Sequence, residues 1–201
     1  MLCCDISPDK VMFAGLATGD IAVIQMENSN VGRMGFHDAP ICGLFWLQEK
    51  GCLMSLGFDD LIRFWTFNGN GKPDFEVKLP MKTHTCSLDW PYLLIGSSES
   101  TISIVNLKSL PNVSFPKHAD DYMKSTVHRF SKFNCSRILG GDARRGIMGT
   151  VDGRFLTFSF RETIDKCTAV DIVVSKVQKK SDTRNPLYGQ VNCVDLGYSA
   201  Y

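Results

Sequence analysis

The sequence lacks a dominant charge, which narrows the classes of partner it can serve. Its 22 lysines and arginines face 21 aspartates and glutamates, leaving a formal net charge of +1. Bulk electrostatics therefore do not favour nucleic acid or an anionic membrane as the main partner. No apolar run approaches the roughly 20 residues of a membrane helix, and no basic start with an apolar middle marks a signal peptide. We expect no membrane association.

Metal-binding and disulfide patterns are also missing. The eight cysteines are scattered, with no C-x-x-C pair and no histidine and cysteine spacing that would close around zinc. Most of them lie in apolar runs such as PICGLFW and GCLMSL, where a reduced cysteine behaves as a small hydrophobic residue. We therefore expect a reducing compartment, nucleus or cytosol, and neither metal nor cofactor.

Short apolar or alternating runs of strand length dominate the chain, each bounded by turn residues. Apolar residues make up 44% and charged residues 21%, an ordinary globular composition. The one helical candidate, DDYMKSTVHRFSKF, also carries β-branched residues and alternation, so we predict an all-β fold. The predicted strands include VMFAGLA, IAVIQM, ICGLFWL, CLMSLGF, LIRFWTF, YLLIGSS, TISIVNL, RFLTFSF and DIVVSKV.

Four segments repeat as a short polar turn followed by an alternating strand: ATGDIAVIQ, FDDLIRFWT, SESTISIVN and VDGRFLTFS. Aligning them places Thr18, Asp59, Glu99 and Asp152 at one turn position, at intervals of 41, 40 and 53 residues. A period near 40 with four strands per unit is typical of a WD-repeat β-propeller blade. The long third interval can hold an insertion.

The stretch FHDAPICGLFW places polar residues directly before an apolar strand. In WD-repeat blades, a histidine at this position bonds the aspartate of the turn between the second and third strands. We therefore predict that His37 pairs with Asp59 and that Trp65 packs nearby, since a buried histidine and aspartate must satisfy one another. A catalytic dyad is the alternative, but no nucleophile stands in a motif of its own.

Several motifs together resemble one family. HDAPI, LGFDDLIRFW, the Leu-Pro and Trp-Pro pairs of VKLPMK and LDWPYLLIG, and MGTVDGRFLTF follow one another in that order. They resemble the RNA-export WD-repeat propellers of the nuclear pore and their sister, the mitotic-checkpoint propeller that carries checkpoint kinases to kinetochores. The quartet is intact at 37–40, and segment 150–154 is similar to the family's Ser-Ile-Glu-Gly-Arg turn. The Leu-Pro and Trp-Pro pairs favour the export branch.

The resemblance implies one seven-bladed propeller domain, of which about four to five blades are present. Blade-like repeats are expected around 1–36, 37–80, 81–118 and 119–190, with the start of a further blade at 191–201. We expect an incomplete or open propeller, since a propeller must close or leave strand edges exposed. A fragment, missing blades and strands borrowed from a partner all fit this expectation.

Function is implied by the same resemblance. These propellers are non-enzymatic adaptors that bind a peptide called the GLEBS motif, which holds the export members on a nucleoporin with GLFG repeats. Arg154 matches the arginine that forms a salt bridge with paired glutamates of that peptide, and Asp152 is expected to orient its turn. The nucleus, the nuclear pore and the cytoplasm are the expected locations.

Other functions stay open at this point. A checkpoint propeller that binds kinase peptides and a scaffold of an unrelated complex both fit the repeats. An enzyme built on a propeller would need converging acids, a metal cluster or a nucleophile, and no such group stands at a recognisable spacing; no small-molecule substrate is expected. A basic cluster, Lys176, Lys179, Lys180 and Arg184, is a candidate for weak RNA contact or a solvated loop.

Overall fold

The computed structural model describes residues 2–67, 71–79, 81–98, 101–109, 126–127, 132–139, 143–162 and 167–176. Over these ranges the chain forms antiparallel strands and no α-helix, so the all-β prediction is confirmed. Leu107–Ser109 form a 3-10 turn. The strands assemble in chain order into four-stranded sheets, numbered here 1 to 4.

The strand bounds follow the chain in groups of four. Sheet 1 contains β1 (Cys3–Ile6), β2 (Val11–Gly15), β3 (Asp20–Gln25) and β4 (Asn30–Phe36). Sheet 2 contains β5 (Ile41–Leu47), β6 (Cys52–Gly57), β7 (Leu61–Trp65) and β8 (Phe75–Lys78). Sheet 3 contains β9 (Thr83–Asp89), β10 (Tyr92–Ser97), β11 (Thr101–Asn106) and β12 (Thr126–Val127). Sheet 4 contains β13 (Phe133–Leu139), β14 (Arg145–Thr150), β15 (Arg154–Glu162) and β16 (Cys167–Lys176).

Burial explains why some strands read as continuous apolar runs and others do not. Every residue of β6 (CLMSLG) and of β10 (YLLIGS) is buried. By contrast β4, the last strand of sheet 1, is mostly exposed and carries mixed residues. Strands covered on both faces need apolar side chains at successive positions. Each of the nine predicted runs overlaps a strand of the structure.

The chain divides into two compact units. The first holds sheets 1 and 2, which share a core of six buried side chains, with Trp46 packed against it. Trp46 stacks on Phe13 with ring centroids 5.5 Å apart, and its backbone N–H donates to the Asp5 carboxylate at 2.6 Å. Apolar burial at roughly 25 cal/mol per Å² drives this packing. The core side chains are Phe13, Ile21, Ile41, Leu44, Leu53 and Trp65.

The second unit holds sheets 3 and 4, and a polar cluster joins them beside their apolar core. Glu162 accepts hydrogen bonds from the Tyr92 hydroxyl at 2.7 Å and from the Asn106 amide, and Arg144 lies 3.7 Å away. Burial and the bond to Glu162 raise the pKa of Tyr92 to about 12. The Tyr92 hydroxyl therefore keeps its proton at neutral pH and continues to donate its hydrogen bond to Glu162.

Close approach of β4 to Trp65 requires a glycine. A Cβ added at Gly35 would lie 2.1 Å from Trp65 Cζ3 and 2.5 Å from Cη2, well inside contact distance. Gly32, on the same strand, has no atom within 4 Å of the corresponding position. The indole of sheet 2 therefore packs directly onto the backbone of sheet 1.

These two glycines give a matched test of the packing between sheets 1 and 2. We expect Gly35→Ala to lower the free energy of unfolding by about 1 to 3 kcal/mol, because the buried indole must shift to admit the methyl group. Gly32→Ala should change it by less than about 0.5 kcal/mol. Urea unfolding followed by tryptophan fluorescence measures both; equal effects would contradict the packing described here.

Candidate functional site

The residues aligned by the repeat lie in equivalent turns. Thr18, Asp59 and Asp152 each fall in the hairpin between the second and third strands of their sheet. Glu99, the fourth aligned residue, lies outside the described residues. A hairpin turn projects side chains beyond the sheet, so these positions are where the sheets can present polar groups.

In sheet 2 the turn aspartate contacts the predicted histidine. His37 Nδ1 lies 2.9 and 3.0 Å from the two carboxylate oxygens of Asp59. The same carboxylate accepts the backbone N–H groups of Asp38 at 3.2 Å and Leu61 at 3.3 Å. Asp59 therefore fastens the loop before β5 to the turn before β7.

Ser55 completes this network, and the sequence analysis missed it. Its hydroxyl oxygen lies 2.7 Å from His37 Nε2 and accepts the indole N–H of Trp65 at 2.8 Å. The arrangement assigns the proton on His37 to Nδ1, which donates to Asp59, while Nε2 accepts from Ser55. One signal pointed to Ser55: it is the polar residue in the middle of the otherwise apolar strand CLMSLG.

Burial sets the charge of the histidine. His37 is 1% exposed, and this burial lowers its pKa, although the hydrogen bond and negative charge of Asp59 act in the opposite direction. The imidazole is therefore neutral at pH 7, in agreement with the tautomer that the hydrogen bonds require. Ser55, His37 and Asp59 are linked in the order of a catalytic triad, but Ser55 is 0% exposed, so its hydroxyl is closed to a substrate. A neutral, fully bonded and buried histidine is suited to holding the blade together.

Arg63 extends the network toward the edge of sheet 2. Its guanidinium lies 3.6 Å from Asp59 and 3.1 Å from Glu76, and it donates to the carbonyl of Phe36 at 2.6 Å. With a side chain only 11% exposed, it needs these acceptors to offset the loss of hydration. Sequence analysis had treated Arg63 only as part of a strand.

In sheet 4 the turn aspartate contacts an arginine. Arg154 Nε lies 3.1 Å from Asp152 Oδ2, and the two side chains are 41% and 33% exposed. The other carboxylate oxygen of Asp152 lies 2.5 Å from the Thr150 hydroxyl. That hydroxyl accepts the backbone N–H of Arg154 at 3.0 Å. The structure thus brings the two predicted partner-binding residues together and adds Thr150 to them.

The predicted basic cluster lies mostly outside what the structure describes. Lys176 is the last residue of β16, and Lys179, Lys180 and Arg184 are outside the described residues. RNA contact by this cluster stays a prediction.

The described ranges also bear on metal and membrane sites. No group of three or more histidine, cysteine, aspartate or glutamate side chains there is arranged to hold a metal ion. No helix in the described ranges has the length and apolar character to cross a membrane.

Comparisons with known proteins agree with the fold. No family model matches the chain. It is 23% identical over 110 residues to the mRNA export factor rae-1 of Caenorhabditis elegans, covering 53% of this chain and 30% of that protein. A WD40 propeller chain in the crystal structure of the mitotic checkpoint complex superposes with a TM-score of 0.59 at 17% identity, over 85% of this chain and 51% of that one.

The fold is therefore of the WD40 β-propeller type, and the four sheets are its blades. The chain spans about half the length of the solved propeller and less than a third of the export factor. Both comparisons concern proteins with WD-repeat sheets, and the sequence likeness to the export factor is distant.

Removing His37 tests the polar network of sheet 2. We expect His37→Ala to lower the free energy of unfolding by about 1 to 3 kcal/mol, because Ser55 and Asp59 lose a partner in a buried site. His84→Ala, a histidine substitution in another sheet, is the control for general effects. Chemical unfolding of both variants measures the difference. An unchanged free energy of unfolding in His37→Ala would show that the hydrogen bonds of His37 do not stabilise the fold.

The pKa of His37 also predicts how stability depends on pH. Because its folded-state pKa lies below that of the unfolded chain, the unfolded state binds more protons as pH falls below about 6.5. Stability should be full above that pH and fall as the solution becomes more acidic. Urea unfolding between pH 7.5 and 5.5 should show this loss in wild type and a smaller one in His37→Gln; identical slopes would contradict it.

Proposed function

We propose that this chain is a non-enzymatic WD-repeat adaptor that binds a peptide of the GLEBS type from a GLFG nucleoporin and serves mRNA export at the nuclear pore. The observation that carries the proposal is the half-exposed Arg154, which Asp152 holds at the turn between β14 and β15. The likeness to an mRNA export factor supports the same process.

The turn is built to hold its shape while it presents a charge. Gly153 has a φ of +79°, a conformation that favours glycine, and its N–H lies 3.4 Å from the Thr150 carbonyl. Thr150 itself is fully buried and anchors the turn. An arginine on such a support loses little side-chain freedom on binding, so its contact with a partner carboxylate costs less entropy.

An apolar neighbour makes the turn suitable for a peptide. Val151, next to Asp152, is 40% exposed and offers a surface that a bound peptide would cover. Excluding water beside Arg154 would strengthen its attraction to a carboxylate, because the local dielectric constant falls. Paired glutamates in the peptide supply the matching charge, and Arg154 can grip a carboxylate through two parallel N–H groups.

The proposed adaptor function requires no catalytic residue in this chain. The buried polar network of sheet 2 is occupied with its own hydrogen bonds, and the proposed role of Arg154 is recognition. The corresponding location is the nucleus and its envelope, with passage through the cytoplasm. Contact with RNA through Lys176, Lys179, Lys180 and Arg184 is a secondary proposal that rests on the sequence.

Charge reversal at Arg154 tests the proposal. We expect Arg154→Glu to weaken binding of a GLEBS peptide by about 2 to 5 kcal/mol, because the peptide carboxylates are left facing a like charge. The fold should persist, since the side chain is 41% exposed. Isothermal titration calorimetry measures the affinity, and thermal unfolding checks the fold.

Arg145 provides the matched control. It is an exposed arginine at the opposite end of β14 from the turn, so Arg145→Glu should leave the affinity nearly unchanged. Equal loss in the two variants would point to a general charge effect, and equal affinities of wild type and Arg154→Glu would remove Arg154 from the site. If the wild-type protein does not bind the GLEBS peptide but binds a checkpoint-kinase peptide, the chain belongs to the checkpoint branch.

A further inference from the structure

We propose that Asp152 and Thr150 are positioning residues that hold Arg154 by its Nε side, so that the edge formed by its two Nη groups is the one offered to a partner's carboxylate. This inference rests on the proposed function and deepens it, because it specifies how the partner's acidic group is recognised.

The two oxygens of the Asp152 carboxylate contact different partners. Oδ2 lies 3.1 Å from Arg154 Nε, and Oδ1 lies 2.5 Å from the Thr150 hydroxyl. Rotation of the carboxylate would break one of these contacts. Since a charge-assisted hydrogen bond is stronger than a neutral one, the orientation of the carboxylate is well determined.

The threonine is fixed in turn by the backbone of the arginine. The Thr150 hydroxyl oxygen accepts the N–H of Arg154 at 3.0 Å and lies 3.0 Å from the carbonyl oxygen of the same residue. A closed ring of contacts therefore joins the Thr150 hydroxyl, the Asp152 carboxylate and the guanidinium and backbone of Arg154. A ring of this kind leaves the guanidinium few orientations.

Occupation of Nε decides which edge of the guanidinium remains for a ligand. A guanidinium offers a carboxylate two bidentate geometries: a side-on one through Nε and one Nη, and an end-on one through both Nη groups. Asp152 takes the Nε position. Over the described ranges this is the ion pair that Arg154 makes, and the side chain is 41% exposed. The end-on geometry is the one left to an incoming glutamate.

Sheet 1 contains the same three residue types in a different geometry. The Thr18 hydroxyl donates to Asp20 at 2.7 Å, and Asp20 contacts Arg33 at 2.6 Å, but through Nη2. The guanidinium of Arg33 also lies over the Phe36 ring, 4.9 Å from its centroid. In sheet 1 the ion pair thus engages the terminal edge of the arginine, and the ion pair through Nε belongs to the arrangement at Arg154.

The first test uses the free protein and needs no partner. Arginine side-chain NMR reports water exchange at each Nε–H, with the Arg154 signal assigned from Arg154→Lys. We expect exchange at Arg154 to be slow in wild type and about threefold faster in Asp152→Asn and in Thr150→Val, the size expected for a partly exposed ion pair. Asp20→Asn should not change it. Wild-type exchange as fast as in free arginine, or no response to either substitution, would overturn the proposal.

The second test asks whether the orientation matters for recognition. By calorimetry with the GLEBS peptide, we expect Asp152→Asn to weaken binding about fivefold in wild type and to have no effect in the Arg154→Lys background, since lysine has no Nε–H to hold. Equal or tighter binding by Asp152→Asn alone would show that Asp152 competes with the partner, and would overturn the proposal. If the wild-type protein does not bind the peptide, the proposed function is wrong. The NMR exchange experiment would still show whether Asp152 holds the Nε group of Arg154.

Discussion

The hydrogen bond between buried His37 and Asp59 is the contact on which the first unit depends most. It lies between the loop before β5 and the turn before β7, two segments that the backbone hydrogen bond from Phe58 N–H to the Pro40 carbonyl also joins, at 2.9 Å. Through Ser55 it reaches the indole of Trp65, and that indole packs against the backbone of Gly35 in the neighbouring sheet. The hydrogen bonds inside sheet 2 therefore also position the indole that packs against sheet 1.

The same turn position takes a different form in sheet 4. Asp59 in sheet 2 has a side chain 9% exposed and faces a neutral histidine, while Asp152 has a side chain 33% exposed and faces a half-exposed arginine. The hydroxyl of Thr150, a residue of the second strand, takes the contact that His37 makes in sheet 2. An aspartate that faces an arginine in place of a buried histidine can hold a positive charge near solvent, and this change separates a turn that stabilises a blade from one we propose to bind a peptide.

The sequence allowed much of this to be predicted, because the strongest signals came from fully buried strands. The apolar runs around β6 and β10 were identified, and the repeat placed Thr18, Asp59 and Asp152 in equivalent turns. Strands β1, β4, β8, β9, β12, β13 and β14 were not among the predicted runs. Several of these carry exposed or mixed residues, as β4 does, so their composition resembles that of loops.

The polar partners were harder to predict than the fold. Ser55 and Thr150 are short side chains within strands, and their roles depend on distances that no spacing rule encodes. The pair Arg154 and Asp152 was singled out by a family likeness, but the edge of the guanidinium that the carboxylate occupies depends on rotamers. Such details follow from packing after the chain has folded, and only three-dimensional contacts define them.

The central claim is that an acidic peptide docks at the turn 151–153 of sheet 4. The most direct test is photo-crosslinking of a GLEBS peptide that carries a diazirine amino acid next to its paired glutamates, with the products mapped by mass spectrometry. We expect crosslinks within residues 150–154 and their loss in Arg154→Glu. Crosslinks concentrated at the turn 16–19 of sheet 1, or an unchanged pattern in Arg154→Glu, would contradict it.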